Sequence, residues 1–160
     1  MKKTILRQLI VLPLLVAVMA ALHACGSATG VRATPAAFTA VYTLRQGASA
    51  VITPAAIARN AGAAASAPVV RLERVNDSRC RTGAVCVWAG YISFSFTLTQ
   101  PDGATSNFVL SDNMPNGTPT VRRDGLTFTL AGFAPQQAPA KNEEPPDYQV
   151  SLKVSNIVSP

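Results

Sequence analysis

The sequence predicts an all-β domain, an antiparallel β-sandwich that is immunoglobulin-like or related, with about eight strands after an N-terminal signal peptide. Short runs of β-branched and aromatic residues alternate with polar residues, and segments rich in glycine or proline separate these runs. No run has the apolar stripe of a convincing helix. Alternation leaves one wet face on each sheet, which favours two sheets packed face to face, with a partly closed barrel as the alternative.

The predicted strands follow one another from residue 38 onward. The clearest covers 91–99, where apolar residues occupy every second position, namely Ile92, Phe94, Phe96 and Leu98. Residues 100–103 (Gln-Pro-Asp-Gly) predict a hairpin turn into the next strand. The other predicted strands are 38–44, 48–53, 69–75, 104–111, a short piece at 121–124, 126–130 and 148–155. The alanine-rich segment 54–68 predicts a loop insertion, and 136–147 a second, proline-rich loop.

Residues 1–24 have the features of a secretory signal peptide. Basic residues precede an apolar core at 9–22, which is shorter than the roughly 20 residues of a membrane-spanning helix. The Leu22-His23-Ala24-Cys25 sequence that follows resembles the lipobox of bacterial lipoproteins. The resemblance implies diacylation of the Cys25 thiol, cleavage before Cys25 and acylation of the new amino group. An ordinary cleaved signal with a chance cysteine is the alternative.

Lipidation at Cys25 would fix the mature chain to a membrane, because one acyl chain is marginal and three together make release negligible. Gly26 stands where enterobacterial lipoproteins retained in the inner membrane have aspartate, so we expect the outer membrane, with the domain facing the periplasm. Residues 25–36 are small and polar and predict a flexible tether. A single domain at 37–160 follows the tether.

Cleavage of the signal changes the charge and removes a catalytic residue type. It takes away three of the 14 basic residues, leaving 11 against 8 acids, so nucleic acid is not an expected partner. It also removes His23, the only histidine. Catalytic sets that use histidine and histidine-ligated metal sites are therefore excluded. We expect a protein that is not an enzyme and has no cofactor or metal.

Two cysteines remain in the mature chain, Cys80 and Cys86. A pair of cysteines in an oxidising compartment predicts a disulfide. A metal site on two cysteines is the alternative, but the chain offers no third or fourth soft ligand.

The most distinctive segment runs from Asp77 to Gly90. Its Asp-Ser-Arg-Cys and Cys-Val-Trp-Ala-Gly motifs resemble those of a family of uncharacterised bacterial lipoproteins and secreted proteins. In that family the first motif is usually followed by proline, where this chain has Arg81. The resemblance is close over 75–98 and looser over 38–154. It implies fold and location, and no activity.

The same segment has a structural and a functional interpretation. Structurally, Asp77 forms an Asx turn, Arg79 pairs with it or reaches nearby carbonyls, Trp88 packs against the disulfide or under the sheet, and Gly90 lets the chain bend. Functionally, these side chains and Arg81 form a ligand patch, because arginine binds carboxylates or phosphates and tryptophan stacks on sugars or amides. The patch consists of Asp77, Arg79, Arg81 and Trp88.

Three functions compete at this stage. The first is a non-enzymatic envelope lipoprotein, anchored to the membrane through Cys25, that binds an unknown envelope protein or polymer. The second is a small periplasmic hydrolase or lyase that uses carboxylates and arginine. The third is an inhibitor or chaperone-like module that offers a strand edge or a loop to an envelope enzyme.

Overall fold

The computed structural model describes residues 37–53 and 67–157, and this part of the chain forms eight β-strands and no helix. The strands are β1 (Thr39–Leu44), β2 (Ser49–Val51), β3 (Val69–Asp77), β4 (Ile92–Thr99), β5 (Thr105–Leu110), β6 (Thr120–Arg123), β7 (Leu126–Ala134) and β8 (Gln149–Ser155). The all-β prediction and the strand number are confirmed. The predicted signal peptide, the tether, Cys25 and most of the insertion 54–68 lie outside the described residues.

Two four-stranded sheets make up the domain. The first has the order β1-β8-β7-β6 and the second β2-β3-β4-β5, with every neighbouring pair antiparallel. The first sheet joins the first strand of the domain to the last, and the second is built from consecutive strands. The predicted β-sandwich is therefore confirmed.

The core lies between the two sheets. The apolar side chains that the sequence pattern predicts to be buried on β4 lie in it. Ile92, Phe94, Phe96 and Leu98 are all buried along β4. Phe108 on β5 stacks on Phe96 at 5.2 Å between ring centroids. It also packs against Phe128 of the first sheet at 4.7 Å. This second contact joins the two sheets through their aromatic residues, whose large buried surfaces contribute strongly to stability.

Two β-bulges explain where the sequence pattern is irregular. In β3 the register against β4 shifts between Leu72 and Arg74, which accounts for the imperfect alternation there. In β7 the register against β8 shifts between Leu130 and Gly132. The prediction ended this strand at residue 130, where the alternation slips, but the strand continues beyond the bulge to Ala134.

The hydrogen-bond register defines two opposite ends of the sandwich. At the lower end β1 begins, because Thr39 pairs with Ser155 at the end of β8. The turn at 124–125 lies at the same end, where Ser106 donates a hydrogen bond to Asp124. At the upper end lie the loop 78–91, which joins β3 to β4, and the loop 135–148, which joins β7 to β8.

Within residues 37–53 and 67–157, no helix is long and apolar enough to cross a bilayer.

Candidate binding site

The loop 78–91, named here the disulfide loop, begins as a continuation of the β3–β4 pairing. The Ser78 amide donates to the Tyr91 carbonyl and the Cys80 amide to the Ala89 carbonyl, both at 2.8 Å. Cys80 then forms a disulfide with Cys86, with their Cα atoms 5.9 Å apart. The predicted disulfide is confirmed. It closes a ring over residues 80–86 beyond the last ladder bond.

Gly90 is required where the disulfide loop returns to β4. Its φ is +71°, a conformation that L-residues with a side chain rarely adopt. A Cβ atom at this position would lie 1.9 Å from the carbonyl oxygen of Ser78. The predicted bend at Gly90 therefore exists, and it depends on close approach of two backbone segments as well as on the dihedral angle.

Asp77 and Arg79 form a partly buried ion pair at the base of the disulfide loop. The Asp77 carboxylate accepts the Arg79 amide at 3.1 Å, which is the predicted Asx turn, and two guanidinium donors at 2.8 Å. Their side chains are only 7% and 14% exposed. Arg79 also donates to the Gln136 carbonyl and lies over the Phe133 ring, with Cζ 5.4 Å from the ring centroid.

Tyr148, the residue directly before β8, completes this network. Its hydroxyl donates to Asp77 and accepts from Arg79 at 3.1 Å. Burial alone would raise the pKa of the Asp77 carboxyl, but the hydrogen bonds from Arg79 and Tyr148 outweigh burial and lower the pKa. Burial and the bond to Asp77 raise the pKa of the Tyr148 phenol. The three polar groups therefore hold one another in fixed protonation states at neutral pH.

Arg81 and Thr82 fasten the disulfide loop to the neighbouring loop 135–148. The Arg81 guanidinium donates to the carbonyls of Ala140, at 3.1 Å, and Glu143. Thr82 donates from its amide to Pro139 and accepts from the Lys141 amide, each at 3.1 Å. Thr82 is a member of the site that sequence reasoning missed, because no pattern links it to a segment almost sixty residues away.

Trp88 does not lie under the sheet, so that part of the prediction is wrong. Its side chain is 60% exposed, and its ring meets Tyr91 edge-on at 5.9 Å. Val85 and Val87 are fully exposed. These three residues, named here the apolar tip, lie beyond the network and beyond the strands. The sequence signal for them was the run Val-Cys-Val-Trp within a loop.

The four residues of the predicted ligand patch do lie together. All four line one shallow surface depression of about 550 Å³, with both cysteines and Val87. However, the charged groups of Asp77 and Arg79 are occupied by each other, and Arg81 binds backbone carbonyls. Trp88 is the member with most of its surface free for a partner. The patch thus divides into a polar base and an apolar tip.

Three acidic residues near this site line one depression but form no metal-binding group among the described residues. Asp77 and Glu144 line a second open depression, together with Asp147, whose carboxylate pairs with Arg45 at 2.7 Å. Within residues 37–53 and 67–157 there is no group of three or more His, Cys, Asp or Glu side chains arranged to hold a metal ion.

The fold and the site define a small antiparallel β-sandwich with one disulfide-closed loop projecting from its upper end. Comparisons with protein-family models, curated proteins and solved structures give no significant match.

Proposed function

We propose that this chain is a lipid-anchored, non-enzymatic binding protein of the bacterial cell envelope, and that it binds its partner through the apolar tip. The observation that carries the proposal is the exposure of three large apolar residues within four consecutive positions, Val85, Val87 and Trp88. Single exposed apolar residues are normal on protein surfaces, whereas a contiguous group indicates an interaction site.

The disulfide loop holds the tip ready for binding. The disulfide, the ladder bonds of Ser78 and Cys80, and the bonds of Arg81 and Thr82 to the loop 135–148 hold the disulfide loop on either side of the tip. A loop that is ordered before association loses less conformational entropy when it binds, so more of the contact energy becomes affinity. Tryptophan is also one of the residue types that most often dominate the binding energy of protein interfaces.

The polar residues of the same segment support a binding function over an enzymatic one. A general acid or base needs a free position next to a substrate atom. Asp77 instead accepts four hydrogen bonds from Arg79 and Tyr148. The side chain is 7% exposed, so this carboxylate faces its own partners and leaves little room for a substrate.

The expected anchor complements this arrangement. The signal peptide at 1–24, the lipobox-like Cys25 and the resemblance of 77–90 to bacterial lipoproteins support attachment to a membrane, and Gly26 supports the outer membrane.

Crosslinking in living cells tests the partner. A photoreactive amino acid at Val87 is compared with the same residue at Val41, which is exposed on β1 at a distance from the loop. We expect a discrete crosslinked product from position 87 and none from position 41. Products of equal yield and mass from both positions would refute a specific binding tip.

Fatty-acid labelling tests the anchor. Cells are grown with an alkyne-bearing fatty acid, and the protein is isolated with either Cys25 or Cys25→Ser. We expect label on the first protein only, and detergent-phase partitioning of that protein. An unlabelled Cys25 protein in the aqueous phase would refute lipid anchoring. It would not affect the crosslinking test, which concerns binding of the partner.

A further inference from the structure

The shape of the apolar tip restricts the partner to one with a concave surface. Val85 and Val87 are as accessible as in an extended peptide, so no neighbouring side chain of the described residues shields them. A flat surface contacts only one side of a side chain that is this exposed and leaves the rest in water. A cleft with pockets can enclose them and exclude water, which is the condition for strong contact energy.

The backbone of the tip is also free. Within the described residues, the amide and carbonyl groups of residues 85–88 make no hydrogen bond. The residues on either side do: the Ala84 amide donates to the Arg81 carbonyl, and the Ala89 carbonyl accepts from the Cys80 amide. Free backbone groups next to exposed side chains are the two features by which peptide-binding clefts recognise a ligand. The substrate site of a peptidase is a cleft of this kind, because it must bind both the backbone and the side chains of a peptide.

The disulfide places one peptide bond in a special position. The bond between Val85 and Cys86 lies inside the ring closed by Cys80 and Cys86. Hydrolysis breaks the C–N bond, adds hydroxide to the Val85 carbonyl carbon and gives a proton to the Cys86 nitrogen. Both new ends stay joined through the disulfide, and the bonds of Thr82 to the loop 135–148 hold the other side. The cleaved ends therefore cannot diffuse apart, and the bond can re-form.

The charge of the tip indicates the type of pocket. Val85, Val87 and Trp88 carry no charge, and the guanidinium of Arg81 in the same loop is directed to carbonyls of the loop 135–148. The primary pocket of a peptidase receives the side chain that precedes the cleaved bond. Val85 precedes the Val85–Cys86 bond and is aliphatic, so it fits an apolar primary pocket. It does not fit the acidic pocket of peptidases that cleave after basic residues.

We infer that the partner is an extracytoplasmic peptidase, and that the disulfide loop inhibits it by occupying its substrate cleft with Val85 in an apolar primary pocket. This inference rests on the proposed function, because it identifies the partner of the apolar tip.

The test is a change of specificity. The mature chain is assayed against one serine peptidase with an aliphatic primary pocket and one with an acidic primary pocket, using chromogenic peptides. We expect the native chain to inhibit the first. Val85→Ala removes two methyl groups and weakens inhibition by at least about tenfold to 200-fold, the discrimination that a hydrophobic pocket makes for a single methylene. Val85→Arg abolishes inhibition of the first peptidase and creates inhibition of the second.

Val41→Arg is the matched control, since it places the same charge on an exposed valine of β1. It should behave like the native chain against both peptidases. An intact disulfide, measured by mass under non-reducing conditions, together with a native circular dichroism spectrum, shows that each variant is folded.

Two results would overturn the inference. One is inhibition of neither peptidase by the native chain and by folded Val85→Arg. The other is rapid cleavage of the loop without inhibition. Both are distinguishable from failure of the proposed function, which appears as the absence of a crosslink at Val87. A crosslinked partner that has no peptidase activity would preserve the binding function and refute the inhibitor.

Discussion

Substitution of Gly90 by alanine should destabilise this domain more than the same substitution at any open turn glycine. The prediction follows from two separate features of the residue. Its backbone has φ +71°, and a Cβ would lie 1.9 Å from the Ser78 carbonyl oxygen and 2.8 Å from the Arg79 Cα. Both nearby atoms belong to the backbone, so no side-chain rotation can relieve the contact.

Gly103 separates these two features. It lies in the β4–β5 turn with φ +87°, and a Cβ there would meet no atom within 4 Å. Gly103→Ala therefore has the dihedral cost without the clash, and that cost is about 1–2 kcal/mol. Gly90→Ala has the same cost and, in addition, must move one backbone segment away from the other.

The magnitude of the added effect can be worked from the contacts. Forcing extra volume into a packed site costs about 1–3 kcal/mol. The movement also weakens the Ser78–Tyr91 and Cys80–Ala89 hydrogen bonds, each worth about 0.5–1.5 kcal/mol. We therefore expect Gly90→Ala to lower the free energy of unfolding by about 2–4 kcal/mol more than Gly103→Ala does.

Urea denaturation of the mature chain, followed by circular dichroism, measures both values. Amide hydrogen exchange supplies a local reading, because faster exchange at Ser78 and Cys80 would locate the damage at the base of the disulfide loop. Equal destabilisation by the two substitutions would refute the close approach at Gly90 and leave only the dihedral cost.

Three other changes test the network, the disulfide and the core. The folded-state pKa of Asp77 is lowered, so its stabilising effect is complete above the unfolded value of about 4 and is lost as pH falls through the folded pKa. The free energy of unfolding from urea titrations should fall on acidification below about pH 4, and an unchanged slope in Asp77→Asn would contradict this role. Replacing Cys80 and Cys86 by serine should cost about 2 kcal/mol in the same assay, because the ring is short, and no change would mean that the loop is held by its hydrogen bonds alone. Phe128→Ala should cost about 3–5 kcal/mol, measured against Val109→Ala on the exposed face of β5, and similar values for the two would argue against tight packing between the sheets.

The strands could be predicted where apolar and polar residues alternate without interruption. They were harder to predict where a β-bulge adds one residue to a strand. β4 keeps strict alternation, and all four predicted core residues are buried. In β7 the bulge after Leu130 shifts the pattern by one position, so the prediction stopped before Gly132 although pairing with β8 continues. A bulge is an extra residue on one of two paired strands, and the alternation of apolar and polar residues does not predict where one occurs. The end of such a strand therefore cannot be predicted from the alternation alone.

The site was predictable only in its local contacts. The Asx turn and the ion pair join Asp77 to a residue two positions away, and both were expected. The contacts of Arg79 with Gln136 and Tyr148, and of Thr82 with Pro139, join two irregular segments. No periodicity encodes such contacts. Trp88 is predicted to pack against the disulfide or under the sheet because tryptophan is usually well buried, but its side chain is 60% exposed.

Polar residues often form the functional site of a protein. In the disulfide loop the polar residues lie at the buried base, and the exposed residues at the tip are apolar. The charged pair at the base of the loop, Asp77 and Arg79, is largely buried and engaged with its own chain, whereas Val85 and Val87 are in contact with solvent. Burying the ion pair is favourable only because Tyr148 and the Gln136 carbonyl supply the remaining hydrogen bonds. Stability and binding should therefore separate. Changes at the base alter the free energy of unfolding first, while polar substitutions at the tip leave it almost unchanged and abolish capture of the partner.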